Sequence, residues 1–567
     1  MIIVIIFIKS VNDKMKLYTV LVISLILSTK AWCGLNPAEQ SIVQEQQKLI
    51  LEDAQKQRES LQKSFNIHPE ILDMPVEQSN LCFPINEIRF KDANHLSLKI
   101  KQNLTYEYLN NCLTIEQIQF LVKSITNYYI GEGFITTRAY LEEQDISSGI
   151  LVISVIEGKI EAISLDGLSP TILNMVFPNM KNSVLNLRDI EQGLEQLNRL
   201  RSQKISINIL PSEIAGYSLV ELKSNKVRIL PIFLETGINN SGQKSTGIGQ
   251  NTLSITVENP LQIADIWSIS ASINNDFRNQ HTSRNLSTQL SIPLGYWTID
   301  YLYSGNYFYY DIPLVFDKWR YKGKSDQHRL MLNKVVYRDN QTKFSFTTHY
   351  SHKTVNNTFA NEKLIISSPT LNTITLGLNY STVLKNGYFT FNPTVVQGLH
   401  LFDSTTDKLK INGSPKSQFT KLTVSSSYYK PLSSSSHYLT SLYAQWSKQN
   451  LYSTERISIG GEYSVRGFKE SSLTGNQGFY WRNELTYQAS VNSFIRSISL
   501  TGAIDSGWIK HKNNQIDGGN MTGIAFGISL SDNNYYNASL SIGKPLFYPA
   551  MINPDHWVSY FQLSLNF

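Results

Sequence analysis

An arginine set between glycines, and an aspartate set among small residues further on, are the two residues of this chain best placed to act on each other. The arginine lies in Gly460-Gly461-Glu462-Tyr463-Ser464-Val465-Arg466-Gly467-Phe468. Glycines on both sides of it imply a backbone that turns tightly or packs closely against a neighbour. The aspartate lies in Gly502-Ala503-Ile504-Asp505-Ser506-Gly507, where it interrupts a strand of small residues. Glycine within a strand leaves room for another segment to approach. Arg466 folded onto Asp505 forms a bidentate pair, because a planar guanidinium matches a carboxylate. Such a pair matters where water is excluded, since one of its charges left alone there costs about 3–5 kcal/mol. Spacing alone leaves a solvated Arg466 on an exposed loop equally open.

Catalysis has no comparable constellation. The chain contains no Gly-x-Ser-x-Gly elbow, no Walker phosphate loop and no His-Glu-x-x-His. The 10 histidines are scattered, and the close pair His349 and His352 has no evident third ligand. They read as ordinary strand or loop residues. No carboxylate pair is flagged by spacing. The expectation is a protein that is not an enzyme and uses no metal or cofactor. Lys+Arg 51 against Asp+Glu 45 gives a net charge of +6, modest for 567 residues. With no dense Lys/Arg run, nucleic acid is not an expected partner.

The elements that must position these residues fall into regions of different texture. Met15-Lys16 opens a basic start, Leu17 to Leu27 is apolar, and Ala31-Trp32-Cys33 offers a cleavage site. Residues 1–33 therefore read as an export signal, with Met15 the better start; a short membrane anchor is the alternative. Past Cys33 two cysteines remain, Cys82 and Cys112. In an oxidising compartment they suggest a disulfide; two buried thiols are the other reading. Residues 34–64 hold a polar, Gln- and Glu-rich helix over Asn36–Ser64 with an irregular apolar stripe. Residues 65–80, with Pro69 and Pro75, look like a linker.

Residues 81–226 show mixed α/β texture in two similar units. In 81–158, Ile85–Phe90 reads as a strand and Thr114–Tyr129 as a helix, followed by strands at Ile135–Tyr140 and Ile150–Glu157. Thr114 with Gln117 makes a capping box, and Gly131 is placed to end the helix. In 159–226, Lys159–Leu165 reads as a strand and Leu187–Leu200 as a helix, followed by strands at Ile205–Leu210 and Tyr217–Lys223. Two units of this length fit ordinary domain sizes.

From residue 227 to Phe567 helical periodicity fades and alternation takes over, as in Leu253-Ser-Ile-Thr-Val257 and Tyr388-Phe-Thr-Phe391. The last stretch, Phe561-Gln-Leu563-Ser-Leu565-Asn-Phe567, has one apolar and one polar face. In an exported chain that suits a strand with lipid outside and water inside. At about 20 residues per strand with its connection, the region makes a transmembrane barrel of about 16 strands. A secreted β-sandwich or β-helix is the alternative, but no repeat is visible. The fold class expected is mainly β, with a barrel behind two small α/β domains and an N-terminal helix.

Several of these segments resemble one family. Cys82-Phe-Pro-Ile85, Cys112, Ile125-Thr-Asn-Tyr-Tyr-Ile130, Gly133-Phe-Ile-Thr-Thr-Arg-Ala-Tyr140 and Val155-Ile-Glu-Gly158 look like a first polypeptide-transport-associated (POTRA) domain. Asn240-Ser-Gly242 with Thr246-Gly247 resembles the start of the barrel, with Asn239 where the family usually has Asp. Val465, Arg466, Gly467 and Phe468 match the hallmark loop, and Asp505 its barrel-wall partner. The chain thus resembles the transporters of two-partner secretion, the haemolysin and filamentous-haemagglutinin transporter family, over nearly all of its mature length. The resemblance implies a pore in the outer membrane of a Gram-negative bacterium, with the POTRA domains in the periplasm. They would bind the N-terminal secretion domain of a large exoprotein, which crosses the barrel unfolded without nucleotide hydrolysis. The N-terminal helix would plug the barrel, and Arg466 would hold the pore through Asp505. A solvated periplasmic helix is the alternative for the plug. Outer-membrane lipid, and the barrel-assembly machinery acting on the strand that ends at Phe567, would be further partners. The alternative function is a barrel-assembly factor, which usually carries more POTRA domains. A passive porin has no need of the domains before the barrel.

Overall fold

The computed structural model describes residues 37–62, 81–165, 170–226, 230–313, 317–407, 413–491, 495–511, 518–532 and 535–567. The export signal expected over 1–33 and the linker over 65–80 lie outside the described residues.

Helix α1 spans Pro37–Gln62. Proline suits the first helical position, and the unbranched Gln, Glu, Lys and Leu that follow lose little rotamer freedom in a helix. Its 26 residues make a rod about 39 Å long.

The first α/β unit runs β1 (Cys82–Ile85), β2 (Glu87–Lys91), α2 (Leu98–Thr105), β3 (Asn111–Thr114), α3 (Ile115–Gly131), β4 (Arg138–Tyr140) and β5 (Ile150–Ile156). The single strand expected over Ile85–Phe90 is broken at Asn86, whose N–H bonds Gly149 O at 2.8 Å. The break lets β1 pair with β3 while β2 pairs with β5. Cys82 and Cys112, on β1 and β3, are joined by a disulfide. Helix α3 starts with the capping box of Thr114 and Gln117 and buries Ile118, Leu121, Val122, Ile125 and Tyr129. Gly131 is its last residue; the left-handed turn falls at Gly133, φ +96°. Helix α2, capped by Ser97, has no counterpart in the sequence reading, being too short to show a period. The three-stranded sheet has the order β2-β5-β4, so β4 is an edge. It begins only at Arg138, because Ile135–Thr137 still belong to the turn out of α3.

The second unit runs β6 (Lys159–Leu165), α4 (Pro170–Val176), α5 (Leu187–Leu197), β7 (Gln203–Pro211) and β8 (Tyr217–Lys226). Ile190, Leu194 and Leu197 of α5 pack into its core. The other face of α5 is also covered, because it lies against the barrel rim. There Gln196 Nε2 donates to Gly295 O at 3.2 Å, and the backbone of Ser202 donates to Glu258 at 2.8 Å.

Sixteen antiparallel strands, from Ile232–Asn239 to Val558–Asn566, close into a barrel, and Glu362–Lys363 adds a two-residue strand in one connection. The last strand pairs with the first, Leu565 opposite Thr236. Closure leaves no strand edge to be satisfied, which is what a sheet in lipid requires. Leu253, Ile255, Trp267, Ile269, Phe561 and Leu565 are exposed on the outside, while Ser564 is buried facing in. No helix among the described residues is long and apolar enough to cross a membrane, so crossing falls to the strands.

Candidate functional site

The barrel lumen is filled by one connection and by α1. The connection joins strands Ser436–Trp446 and Gly478–Ser490 at the rim remote from the α/β units. Instead of standing outside, it folds inward on its own small core of Ile457, Ile459, Val465, Phe468 and Leu473 with wall residues Tyr480, Ile509 and Met521. This fixes the arginine. Arg466 Nε donates to Asp505 Oδ2 at 2.6 Å, and Nη2 to Oδ1 at 2.7 Å. Its own backbone N–H adds a third bond to Oδ2 at 3.1 Å. The Asp505 side chain is fully buried. The solvated-loop reading of Arg466 is therefore not what the chain adopts.

Two charges that the sequence did not flag complete the cluster. Glu484 Oε1 lies 3.1 Å from Arg466 Nη2 and 2.8 Å from Arg482 Nη2. Arg482 also donates to the carbonyl of Glu462 at 2.8 Å and sits opposite Asp505 in the strand register. Two arginines thus meet two carboxylates, which offsets the cost of removing all four from water. Arg482 and Glu484 are two apart on one strand and so share a face, a signal that alternation alone could have supplied.

Small wall residues admit the loop. Gly467 has φ +96° and lies so near the Lys544 carbonyl that a Cβ would be 2.6 Å from it. A Cβ on Gly523 would sit 1.9 Å from the Arg466 carbonyl oxygen. Gly507 and Gly543 also face the loop, where a Cβ would lie 3.0 Å from Val465 and 2.8 Å from Gly467, whereas Gly502 points to the outer surface beside Phe526 and admits nothing.

The same connection is pinned a second time, with charges reversed. Glu455 accepts from Lys353 Nζ at 2.7 Å and from Lys421 Nζ at 2.8 Å, all three buried. No spacing links these residues in sequence, because they come from three separate segments.

Helix α1 threads the lumen. Near its N-terminus Glu39 accepts from Ser453, and Gln47 Nε2 donates to Ser458 O at 2.8 Å, so it grips the connection on both sides of Glu455. Midway, Ile50, Leu51 and Ala54 face Ser425, Ser427, Tyr443 and Tyr480. Arg58 lies over the Tyr429 ring at 4.3 Å. At the C-terminal end Ser60 donates to Glu195 of α5 at 2.8 Å, while Lys343 and Arg338 of the barrel also reach Glu195. His349 and His352, three apart on strand Thr342–Phe359, point to opposite faces and cannot share a ligand.

The first α/β unit carries a groove of about 1000 Å³ between α3 and edge strand β4. Phe120, Ile130, Tyr140 and Leu141 line it, with Arg138 and Lys123 beside them.

Residues 216–530 match the family model described as haemolysin secretion/activation protein ShlB/FhaC/HecB. The chain belongs to that family. Residues 83–158 match the ShlB-type POTRA domain and 159–211 a further POTRA domain. The chain is 38% identical over 540 residues to the outer membrane transporter CdiB of Dickeya dadantii, covering 94% of this chain and 95% of that one. It is 28% identical over 456 residues to the hemolysin transporter protein ShlB of Serratia marcescens, covering 80% of each. Among solved structures, CdiB from Escherichia coli superposes with a TM-score of 0.89 at 36% identity, over 95% of this chain and 100% of that one. The protein is accordingly an outer-membrane transporter of the two-partner secretion type, with its POTRA domains in the periplasm. The barrel-assembly reading is set aside, since the relatives that match over most of the chain are transporters.

Proposed function

We propose that the barrel exports a large exoprotein captured by the POTRA domains, and that α1 and the Arg466 loop close it at rest. The observation that carries this is the filled lumen, in which one helix and one loop hold each other through Ser453 and Ser458. A client enters only when both give way. Edge strand β4 and the apolar groove beside it suit an extended segment of the client's N-terminal secretion domain, which adds main-chain hydrogen bonds while the groove takes alternate side chains. The client then threads the lumen unfolded and folds outside, which supplies direction without nucleotide hydrolysis. Arg466 holds the loop against the wall through Asp505 and Glu484. The disulfide between Cys82 and Cys112 fixes the first POTRA domain for that capture. Lipid surrounds the strands, and the strand ending at Phe567 is the segment the barrel-assembly machinery takes up.

The test is a secretion assay. The protein is co-expressed with the large exoprotein encoded beside it, where one exists, and the medium is assayed for that exoprotein. Export that requires this chain is expected. Retention of the exoprotein in the cell would end the reading.

A further inference from the structure

The wall opposite the last strands rises above the rest of the barrel. Strands Trp297–Pro313, Lys318–Arg338 and Thr342–Phe359 have 17, 21 and 18 residues. Their inner ends are fixed by the contacts of Gly295 and Arg338 with α5, so the ends near Pro313 and Lys318 project outward from the cell.

Along 318–334, before the register shift between Val335 and Tyr337, the even-numbered residues face outward. Leu330 lies in the lipid belt with Tyr301, Phe346 and Ile374, all exposed on the same face. Above it come His328 and Asp326, then Lys324, Lys322, Arg320 and Lys318. Strand register adds neighbours: Arg284 and Tyr307 align with Lys324, while Tyr309, Thr358 and Lys363 align with Lys322. Two carboxylates offset part of this charge, Asp326 at 3.0 Å from Lys324 and Asp311 at 2.6 Å from Arg320. The face remains basic. At roughly 3.3 Å per residue and a strand tilt near 40°, Lys324 stands about 10 Å above His328, and Lys322 about 15 Å. In an outer membrane that zone holds the phosphates and inner sugars of the outer-leaflet glycolipid. Tyrosines interleaved with cations suit it, since their rings pack on sugar and acyl surface while ammonium and guanidinium groups meet phosphate.

We propose that this face, centred on Arg284, Lys322 and Lys324, binds the phosphorylated headgroup of outer-leaflet glycolipid. The inference rests on the outer-membrane placement and not on the transport mechanism, so a failed secretion assay leaves it standing. The experiment uses the full chain in mixed micelles, with bisphosphorylated lipid A and its phosphate-free form as probes, and reads bound lipid by native mass spectrometry. The wild type retains the phosphorylated form at least about tenfold better, and Arg284→Gln/Lys322→Gln/Lys324→Gln loses most of that preference, because each basic side chain adds attraction at an anionic surface. Lys385→Gln/Lys430→Gln, at the periplasmic rim, keeps it. Equal retention of the two lipids by the wild type, or an unchanged preference in the triple variant, overturns the proposal. So does unchanged lipid retention with lost secretion in the triple variant, which would assign the face to an acidic part of the client. Heat-modifiable gel mobility reports whether a variant has formed its barrel. If the triple variant has not, Lys322→Gln alone is read in the same way, and no fall in preference overturns the proposal.

Discussion

The inward-folded loop is tied to the barrel at two places that mirror each other. At Arg466 the loop supplies the cation and the wall supplies Asp505 and Glu484. At Glu455 the loop supplies the anion and the wall supplies Lys353 and Lys421. The first tie is a planar fork on a carboxylate, with glycines cut into the wall around it, and its geometry admits one arrangement. The second is a carboxylate between two ammonium groups, which are point charges on long stems and tolerate displacement. The second is flanked on both sides by hydrogen bonds to α1, at Ser453 and Ser458. On the proposed reading the difference separates duties: the arginine end would set where the loop sits, and the glutamate end would connect the loop to α1.

The sharpest break is Arg466→Ala. It leaves Asp505 buried without its two shortest bonds, a loss of about 3–5 kcal/mol at that tie. Secretion into the medium is expected to fall severely, while heat-modifiable mobility shows the barrel still formed. Normal secretion would detach the loop from transport. Arg466→Lys keeps the charge but loses the fork, and intermediate secretion is expected.

Glu455→Gln comes next. It strands two buried lysines and loosens the loop where α1 grips it, so ion conductance across planar bilayers is expected to rise above that of the wild type. Replacing all three together, Glu455→Leu, Lys353→Met and Lys421→Met, removes the repulsion and restores barrel stability, because a buried ionic cluster replaced as a whole by apolar side chains of similar size is often near neutral. If the single variant conducts like the wild type, the glutamate end does not govern the plug.

Replacing Cys82 and Cys112 with Ser acts away from both ties. The bridge closes a span of 30 residues, so its loss costs the first POTRA domain about 2–4 kcal/mol. Faster proteolysis within 81–158, with an intact barrel, is the expected pattern. Cleavage at the wild-type rate would show that β1 and β3 hold without it.

The smallest effect is at Glu157. Burial pushes its carboxyl up, but bonds from the backbone and ring of His95 and from the Tyr129 hydroxyl outweigh burial and hold it below the usual range. A carboxyl depressed in the folded state stabilises the domain above its unfolded pKa and loses that contribution as pH falls through the folded value. The first POTRA domain should therefore open to protease more readily below about pH 4.5, and Glu157→Gln should flatten that dependence.

The barrel was legible because lipid forces a period of two on every crossing strand, and Phe561 to Phe567 shows it without interruption. Helices α3 and α5 were legible by their apolar period and, for α3, by its cap. Helices α2 and α4 were not, since 8 and 7 residues hold too few turns to display a stripe. Arg466 and Asp505 stood out because glycines mark close approach. Gly523 carries the same meaning but lies on a strand with no charge to draw attention to it, and Gly543 lies beside a lysine, Lys544, that has no partner marked by spacing. Glu455, Lys353 and Lys421 were invisible for a different reason. Any lumen-facing position accepts a charge, and only the fold shows which of them meet.

The loop meets Lys353 on the seventh strand at one tie and Gly543 on the fifteenth beside the other, eight strands apart in a ring of sixteen. A hoop braced across its diameter resists being flattened. With both ends fastened, the loop acts as a tie rod that holds the barrel's cross-section, and a ring so held resists the distortion needed to pass a bulky segment. Opening the pore is then a change in the stiffness of the hoop as much as the removal of an obstruction.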